Sequence, residues 1–237
     1  MVERIPIITT VIAVIFLYQI GNHYKQKPKA TYLLWWTIGV LTYGLGTLTE
    51  SINAVVGWSV INTKLWYIAG ALLGGFPLAQ GTVYLFMKKK KADYLTYFWL
   101  VVIAIASIAI IMSPIVLPEE FDSRLSGSVF EWQWVRAFSP FINIYAFIFL
   151  VGGAVLSAWK YYKEGKKNTR FLGNIFIAIG GLLPGIGGSF TRFGFVEVLY
   201  VTELIGLLFI YWGYHTMRTD AEISIHNLQR KLSRVSS

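Results

Sequence analysis

Seven long apolar runs follow one another along this chain, and nearly every charged residue lies between them. The runs cover roughly residues 5–21, 31–49, 65–87, 95–114, 137–159, 171–190 and 195–215. A helix needs about 20 apolar residues to cross about 30 Å of hydrocarbon, and a helix satisfies its own backbone hydrogen bonds in lipid. The fold expected is all-α: a polytopic membrane protein with a seven-transmembrane-helix bundle over residues 1–215. A cytoplasmic amphipathic or coiled-coil stalk is expected over 216–237. Charged residues make up only 14% of the chain, against about 25% in a soluble domain, as lipid contact requires. The first run opens with Glu3 and Arg4 and continues to Gly21 with no small-x-small cleavage pattern after it, so it is expected to be a retained span.

The loops alternate in charge. Lys25, Lys27 and Lys29 fall on one side, with Lys88 to Lys91, then Lys160, Lys163, Lys166, Lys167 and Arg170, then Arg218, Arg230, Lys231 and Arg234; these are 16 of the 21 basic residues. The other side holds Arg4, Lys64, Arg124, Arg136 and Arg192. The excess of Lys and Arg on cytoplasmic loops places the N-terminus outside and the C-terminus in the cytoplasm. Once acids are included, the cytoplasmic side carries +12 and the outer side −2, with Glu203 supplying the last −1 of the formal +9. The basic balance thus reports topology and contact with anionic headgroups, and calls for no nucleic acid. Tryptophans cluster near the expected ends, with Trp35, Trp36, Trp99, Trp159 and Trp212 inside and Trp58, Trp66, Trp132 and Trp134 outside, which suits two interfacial belts. The expected location is the cell (plasma or inner) membrane.

Glu203 stands inside the seventh span. A charged carboxylate at mid-bilayer costs about 2.5–3.5 kcal/mol even on insertion scales, so Glu203 must face a cavity, find a partner or stay protonated. Either it is a protonated packing group or it contacts a ligand or senses protons. The other polar residues within the spans also lean outward: Glu50 ends span 2, Lys64 opens span 3, Arg136 and Asn143 open span 5, and Arg192 and Glu197 precede Glu203. An outward-open vestibule is expected, with Glu203 at its floor and Arg192 or Arg136 as counter-charge. The candidate ligand-binding residues are Glu203, Arg192, Glu50, Asn143, Arg136 and Tyr43. Glu50, Arg192 and Glu197 read equally well as interfacial anchors.

Span 2 (Ile38 to Gly46) and span 6 (Ile179 to Gly187) both fit I-G-x-L-x-x-G-[L/I]-G, and each follows a basic loop opening on Tyr-Lys. This leaves open a duplication of three spans, one linker span and three more; small residues also recur wherever helices pack closely in lipid. Pro77 and Pro184 sit in the glycine-rich spans 3 and 6. Proline removes a backbone donor and kinks a helix, so Pro77, Pro184 and Gly185 are candidate hinges. In the outer loop 115–136, Phe130, Trp132 and Trp134 alternate with Glu131 and Gln133, a period of two that suits a short strand or an interfacial segment. The loop is expected to act as a lid or an aromatic anchor. On the tail, Ala221, Ile225, Leu228, Leu232 and Val235 follow a 4, 3, 4, 3 spacing, which reads as a homodimeric a/d seam or as a basic helix on the inner leaflet.

Much chemistry has no carrier here. There is no cysteine, and His23, His215 and His226 stand apart from one another, so no metal or cofactor is expected. No Gly-x-Ser-x-Gly elbow occurs, and span 7 has no lysine for a retinal Schiff base. No catalytic residue is assigned, and the chain is not expected to be an enzyme.

Span 2 carries Trp35-Trp36, Gly39 and Tyr43-Gly44 and ends in Glu50. Span 3 follows with Leu65-Trp66-Tyr67 and a central Pro77, and a long outer loop comes after span 4. A Tyr-Tyr-Lys-Glu-Gly-Lys-Lys loop (161–167) leads to the Gly-Pro-Gly of span 6, and span 7 runs into the stalk. This succession, over about residues 5–220, resembles the seven-helix N-terminal sensor region of bacterial and archaeal histidine kinases and related signalling proteins. The resemblance implies a receptor-like sensor of an external or membrane-borne signal, with a small molecule or lipid as ligand and a cytoplasmic signalling partner or an output domain beyond Ser237. The alternatives are a small-solute or proton-coupled transporter of 3+1+3 helices and a non-catalytic membrane scaffold.

Overall fold

The computed structural model describes residues 2–119, 121–165, 169–191 and 193–235, with side chains as far as Thr219. Among them the chain forms seven helical rods, and no strand. The rods are α1 (Ile5–Gln26); α2 (Thr31–Val56); α3 (Val60–Trp66), a π-helical turn (Tyr67–Leu72) and α4 (Phe76–Phe86); α5 (Lys89–Met112); α6 (Phe138–Ala146), a second π-helical turn (Phe147–Gly152) and α7 (Gly153–Lys163); α8 (Thr169–Thr191); and α9 (Val196–Val235). Six of the seven are long and apolar enough to cross a membrane. The exception is α2, which at 26 residues reaches about 39 Å at ~1.5 Å per residue. Its Trp, Tyr, Thr and Gly content lowers its hydropathy.

The rods close into a ring. α1 packs on α2, α2 on α4, α4 on α6 and the second π turn, that turn and α7 on α8, α8 on α9, and α9 back on α1. α5 stands outside the ring, against α4 and α6. Its inward stripe of Ala92, Thr96, Ile103, Ala106 and Ile110 is buried. These are mostly small or β-branched side chains, which let helices approach closely in lipid.

The third rod is broken, but ahead of Pro77 rather than at it. The π turn ends at Leu72, and Leu73 to Gly75 interrupt the helix. Pro77 falls in the first turn of α4, where a missing N–H leaves no acceptor orphaned. Thr42 on α2 donates its hydroxyl to the Leu73 carbonyl at 3.1 Å, meeting a backbone acceptor that the break frees. Pro184, by contrast, lies inside the continuous helix α8.

Glycine spacing sets how α8 and α9 pair. A Cβ built on Gly180 would stand 2.6 Å from the Gly206 carbonyl oxygen, and one on Gly206 would stand 2.8 Å from the Gly180 oxygen. Gly173 and Gly213 repeat this at 2.9 and 2.6 Å, and Gly187 lies against Leu199. The contacts climb seven residues at a time in sequence on α8 (173, 180, 187) and descend seven at a time on α9 (213, 206, 199), which gives one antiparallel seam. The Gly180 carbonyl is the acceptor that Pro184 cannot serve four residues on, and the Gly206 Cα covers it. The same division of labour holds in the span-2 motif. Gly39 and Gly46 receive Leu78 and Gly70 of the next rod, as Gly180 and Gly187 receive residues of α9.

Candidate functional site

The two buried acids meet. Glu50 lies near the C-terminal end of α2 and is 1% exposed. Glu203 lies two turns into α9. Their carboxyl groups are within hydrogen-bonding reach of each other. Trp66 at the end of α3 donates its indole N–H to Glu50 Oε1 at 3.0 Å. Glu203 is half-buried as a residue, yet its Oε2 is sealed from solvent without a partner, as is Glu50 Oε2. Tyr43, two turns before Glu50 on α2, donates its hydroxyl to the Glu203 backbone carbonyl at 2.8 Å. Buried Tyr200, one turn nearer the N-terminal end of α9, lies beside both acids. Thr10 of α1 extends the polar patch, with its hydroxyl 3.0 Å from that of Thr47 and 3.1 Å from that of Ser51.

Two carboxylates cannot both stay ionised at contact distance in a poorly solvated site. A single shared proton turns the repulsion into a hydrogen bond and leaves one negative charge, which the indole N–H and neighbouring dipoles stabilise. What this arrangement can do is hold or release that proton while joining α2 to α9.

Of the candidate residues, Glu203, Glu50 and Tyr43 come together here. Arg136 does not join them. It donates to Gln133 Oε1 at 2.7 Å and packs by Gly127 in the loop before α6, so among the described residues the neighbour of the Glu203 carboxyl is another acid. Asn143 is exposed on the outer face of α6, because Ile142 and Tyr145 take the inward positions. Arg192 lies outside the described residues, as do the side chains of the stalk seam. Nor is Glu197 only an interfacial anchor, since it pairs with Arg124 of the outer loop at 3.0 Å.

The loop over residues 115–136 is a cap, with no strand among its described residues. It holds one isolated bridge, Ile115 to Phe130, and 3-10 turns at Gly127–Val129 and Gln133–Ala137. Phe130 is fully buried, with its ring 5.1 Å from Tyr67 of the π turn, while Trp134 stays exposed. Asn53 donates to the Ser123 carbonyl at 3.1 Å, and Lys64 closes the end of α5 through the Ile111 and Ser113 carbonyls at 2.6 and 2.9 Å. The loop is thus pinned to α2, the third rod and α9 at the end of the bundle that holds the acid pair.

Sequence reasoning set Trp66 in an interfacial belt, but it is a buried partner of Glu50. A second buried polar cluster also escaped it. Fully buried Gln80 accepts from the Tyr145 hydroxyl at 2.6 Å and donates to Thr96 at 2.7 Å, and Thr96 stands 3.1 Å from the Tyr84 hydroxyl. Tyr84 then donates to Asp93 at 2.7 Å. This network fastens α5 to the ring. Among the described residues no group of three or more His, Cys, Asp or Glu could hold a metal ion. No protein-family model, curated protein or solved structure matches the chain.

Proposed function

We propose that this protein is a receptor-like membrane sensor in which the Glu50–Glu203 pair receives the signal and α9 carries it out of the bundle. The contact between the two acids carries this reading. It joins α2 to α9, which continues for 40 residues to Val235, well past the roughly 20 residues that cross a bilayer and into a charged stretch that opens with Arg218, Asp220 and Glu222. Loss or gain of the shared proton, or displacement of one carboxyl by an external or membrane-borne ligand, changes that contact and so the position of α9. The two positions must differ in affinity for the proton or ligand for either to drive the change. We take α2 as the seventh span because it is packed between α1 and α4, both in rods able to cross. With the N-terminus outside, the basic loops then fall in the cytoplasm. The family resemblance supports the same assignment, with a signalling partner or output domain acting on the stalk and the cell membrane as location.

The chain has no cysteine, so paired spin labels at Lys29→Cys and Thr219→Cys report the displacement of α9 directly. The distance distribution in nanodiscs is expected to shift between about pH 3 and pH 9, a range that lies on both sides of a carboxyl's usual value near 4.3. Glu50→Gln is expected to abolish the shift. A distribution that ignores both pH and this substitution would refute the assignment.

The ring itself favours a second reading, a transporter. The first three rods and the last three are consecutive around it, α5 is left out, and the two glycine motifs pack on their following rods alike. Repeats of this kind place a substrate between halves. Proton or solute flux into liposomes, lost in Glu203→Gln, would favour it; neither flux nor α9 movement would leave a scaffold.

A further inference from the structure

Because α5 stands outside the ring, one long face of it meets none of the described residues. Its exposed residues recur every three or four positions: Lys91, Tyr94, Phe98, Val101, Ile105, Ile108 and Met112. From Lys91 to Met112 this stripe runs about 32 Å at ~1.5 Å per residue, close to the ~30 Å of a bilayer's hydrocarbon. Four lysines head it, Lys88 to Lys91, all exposed. They are not equivalent. Lys89 turns back to Asp93 at 2.9 Å, and through Tyr84 it ends the Gln80 network. Lys90 and Lys91 lead the outward stripe, one turn before Tyr94 on the same helix, and Tyr94 is 73% exposed. Leu85 and Phe86, just before the lysines in sequence, are exposed apolar side chains.

We infer that this face binds an acidic glycerophospholipid, with Lys90, Lys91 and Tyr94 on the phosphate and the acyl chains along the stripe below. Ammonium and phenol groups at headgroup level complement a phosphate, and the apolar stripe has the length of a lipid. A second copy fits less well, because a two-fold contact through one face would set two lysine clusters side by side. The inference rests on the membrane-spanning helices and is independent of the sensor reading.

The test is native mass spectrometry of the full chain released from nanodiscs of equal parts phosphatidylglycerol and phosphatidylcholine. Phosphatidylglycerol is expected to be retained selectively. K90Q/K91Q is expected to weaken its retention roughly 25-fold, about fivefold for each lysine near the surface, and K90R/K91R to preserve it. K27Q/K29Q removes the same charge from another basic loop and is expected to leave retention unchanged. Equal losses in K90Q/K91Q and K27Q/K29Q would overturn the site in favour of bulk electrostatics. Displacement of the lipid by soluble glycerol phosphate would overturn it in favour of a simple anion site, and equal retention of the two lipids would remove it altogether.

Discussion

Replacing Gly206 with alanine puts a methyl group into the tightest seam of the bundle. The new Cβ would lie 2.8 Å from the Gly180 carbonyl oxygen and 2.9 Å from Pro184 Cδ. Neither neighbour is the end of a flexible side chain, so α8 and α9 must move apart. Overpacking of this kind costs about 1–3 kcal/mol. Separation also weakens the Cα–H contact to the Gly180 oxygen, worth roughly 0.5–1 kcal/mol, at a carbonyl that Pro184 already leaves without an N–H. Against this, alanine gains about 1 kcal/mol of helix propensity over glycine. The net expectation is a loss of about 0.5–3 kcal/mol. Gly185→Ala is the matched control one turn from Gly181 on the same helix, because a Cβ there meets nothing within 4 Å. With no clash to offset the propensity term, it should be neutral or stabilising by up to about 1 kcal/mol. Reversible SDS unfolding of both variants in mixed micelles, followed by circular dichroism, measures the difference. Equal stability of the two would refute the seam.

Trp66→Phe takes the indole N–H from Glu50 Oε1 and is expected to destabilise by about 1–3 kcal/mol, the cost of a buried unsatisfied acceptor. In a double-mutant cycle it should couple to Glu50→Gln by more than about 0.5 kcal/mol; additive losses would count against their contact. Tyr145→Phe strips Gln80 Oε1 of its donor, with a similar expected loss of about 1–3 kcal/mol, and proteolysis should then release α5 sooner; wild-type behaviour would mean the network does not hold that rod. Arg124→Ala breaks a half-exposed pair with Glu197, so unfolding should shift by no more than about 1 kcal/mol. A larger loss would make this ion pair the chief anchor of the outer loop.

The apolar runs and loop charges made the helical rods legible, because lipid forces each run into a helix. They could not show how the rods pair. Gly173, Gly180 and Gly187 stood out as a cluster, but the seam exists only against Gly206 and Gly213, two glycines that carry no local signal. Pro77 marked the right rod and the wrong residue: a proline in a first turn is harmless, and the break lies where Gly74 and Gly75 let the chain depart from the helix. At the site, Glu203 was conspicuous because it is an acid within an apolar span. Its partner was sought among cations, since opposite charge is the usual remedy for a buried acid. A second acid with a shared proton meets the same need, and which one a fold uses depends on the distance between two helices. Trp66 was misplaced for a related reason: the position of an indole near a helix end says nothing about whether it faces headgroups or the bundle.

The sensor reading requires Glu50 and Glu203 to hold one proton between them in the resting protein. Infrared spectroscopy of the reconstituted protein at neutral pH reads this from the carbonyl stretch of a protonated carboxylic acid. That band should be present in the wild type, shift on exchange into heavy water, and vanish in both Glu50→Gln and Glu203→Gln. A wild-type spectrum with only ionised carboxylates, or a band that survives both substitutions, would contradict it.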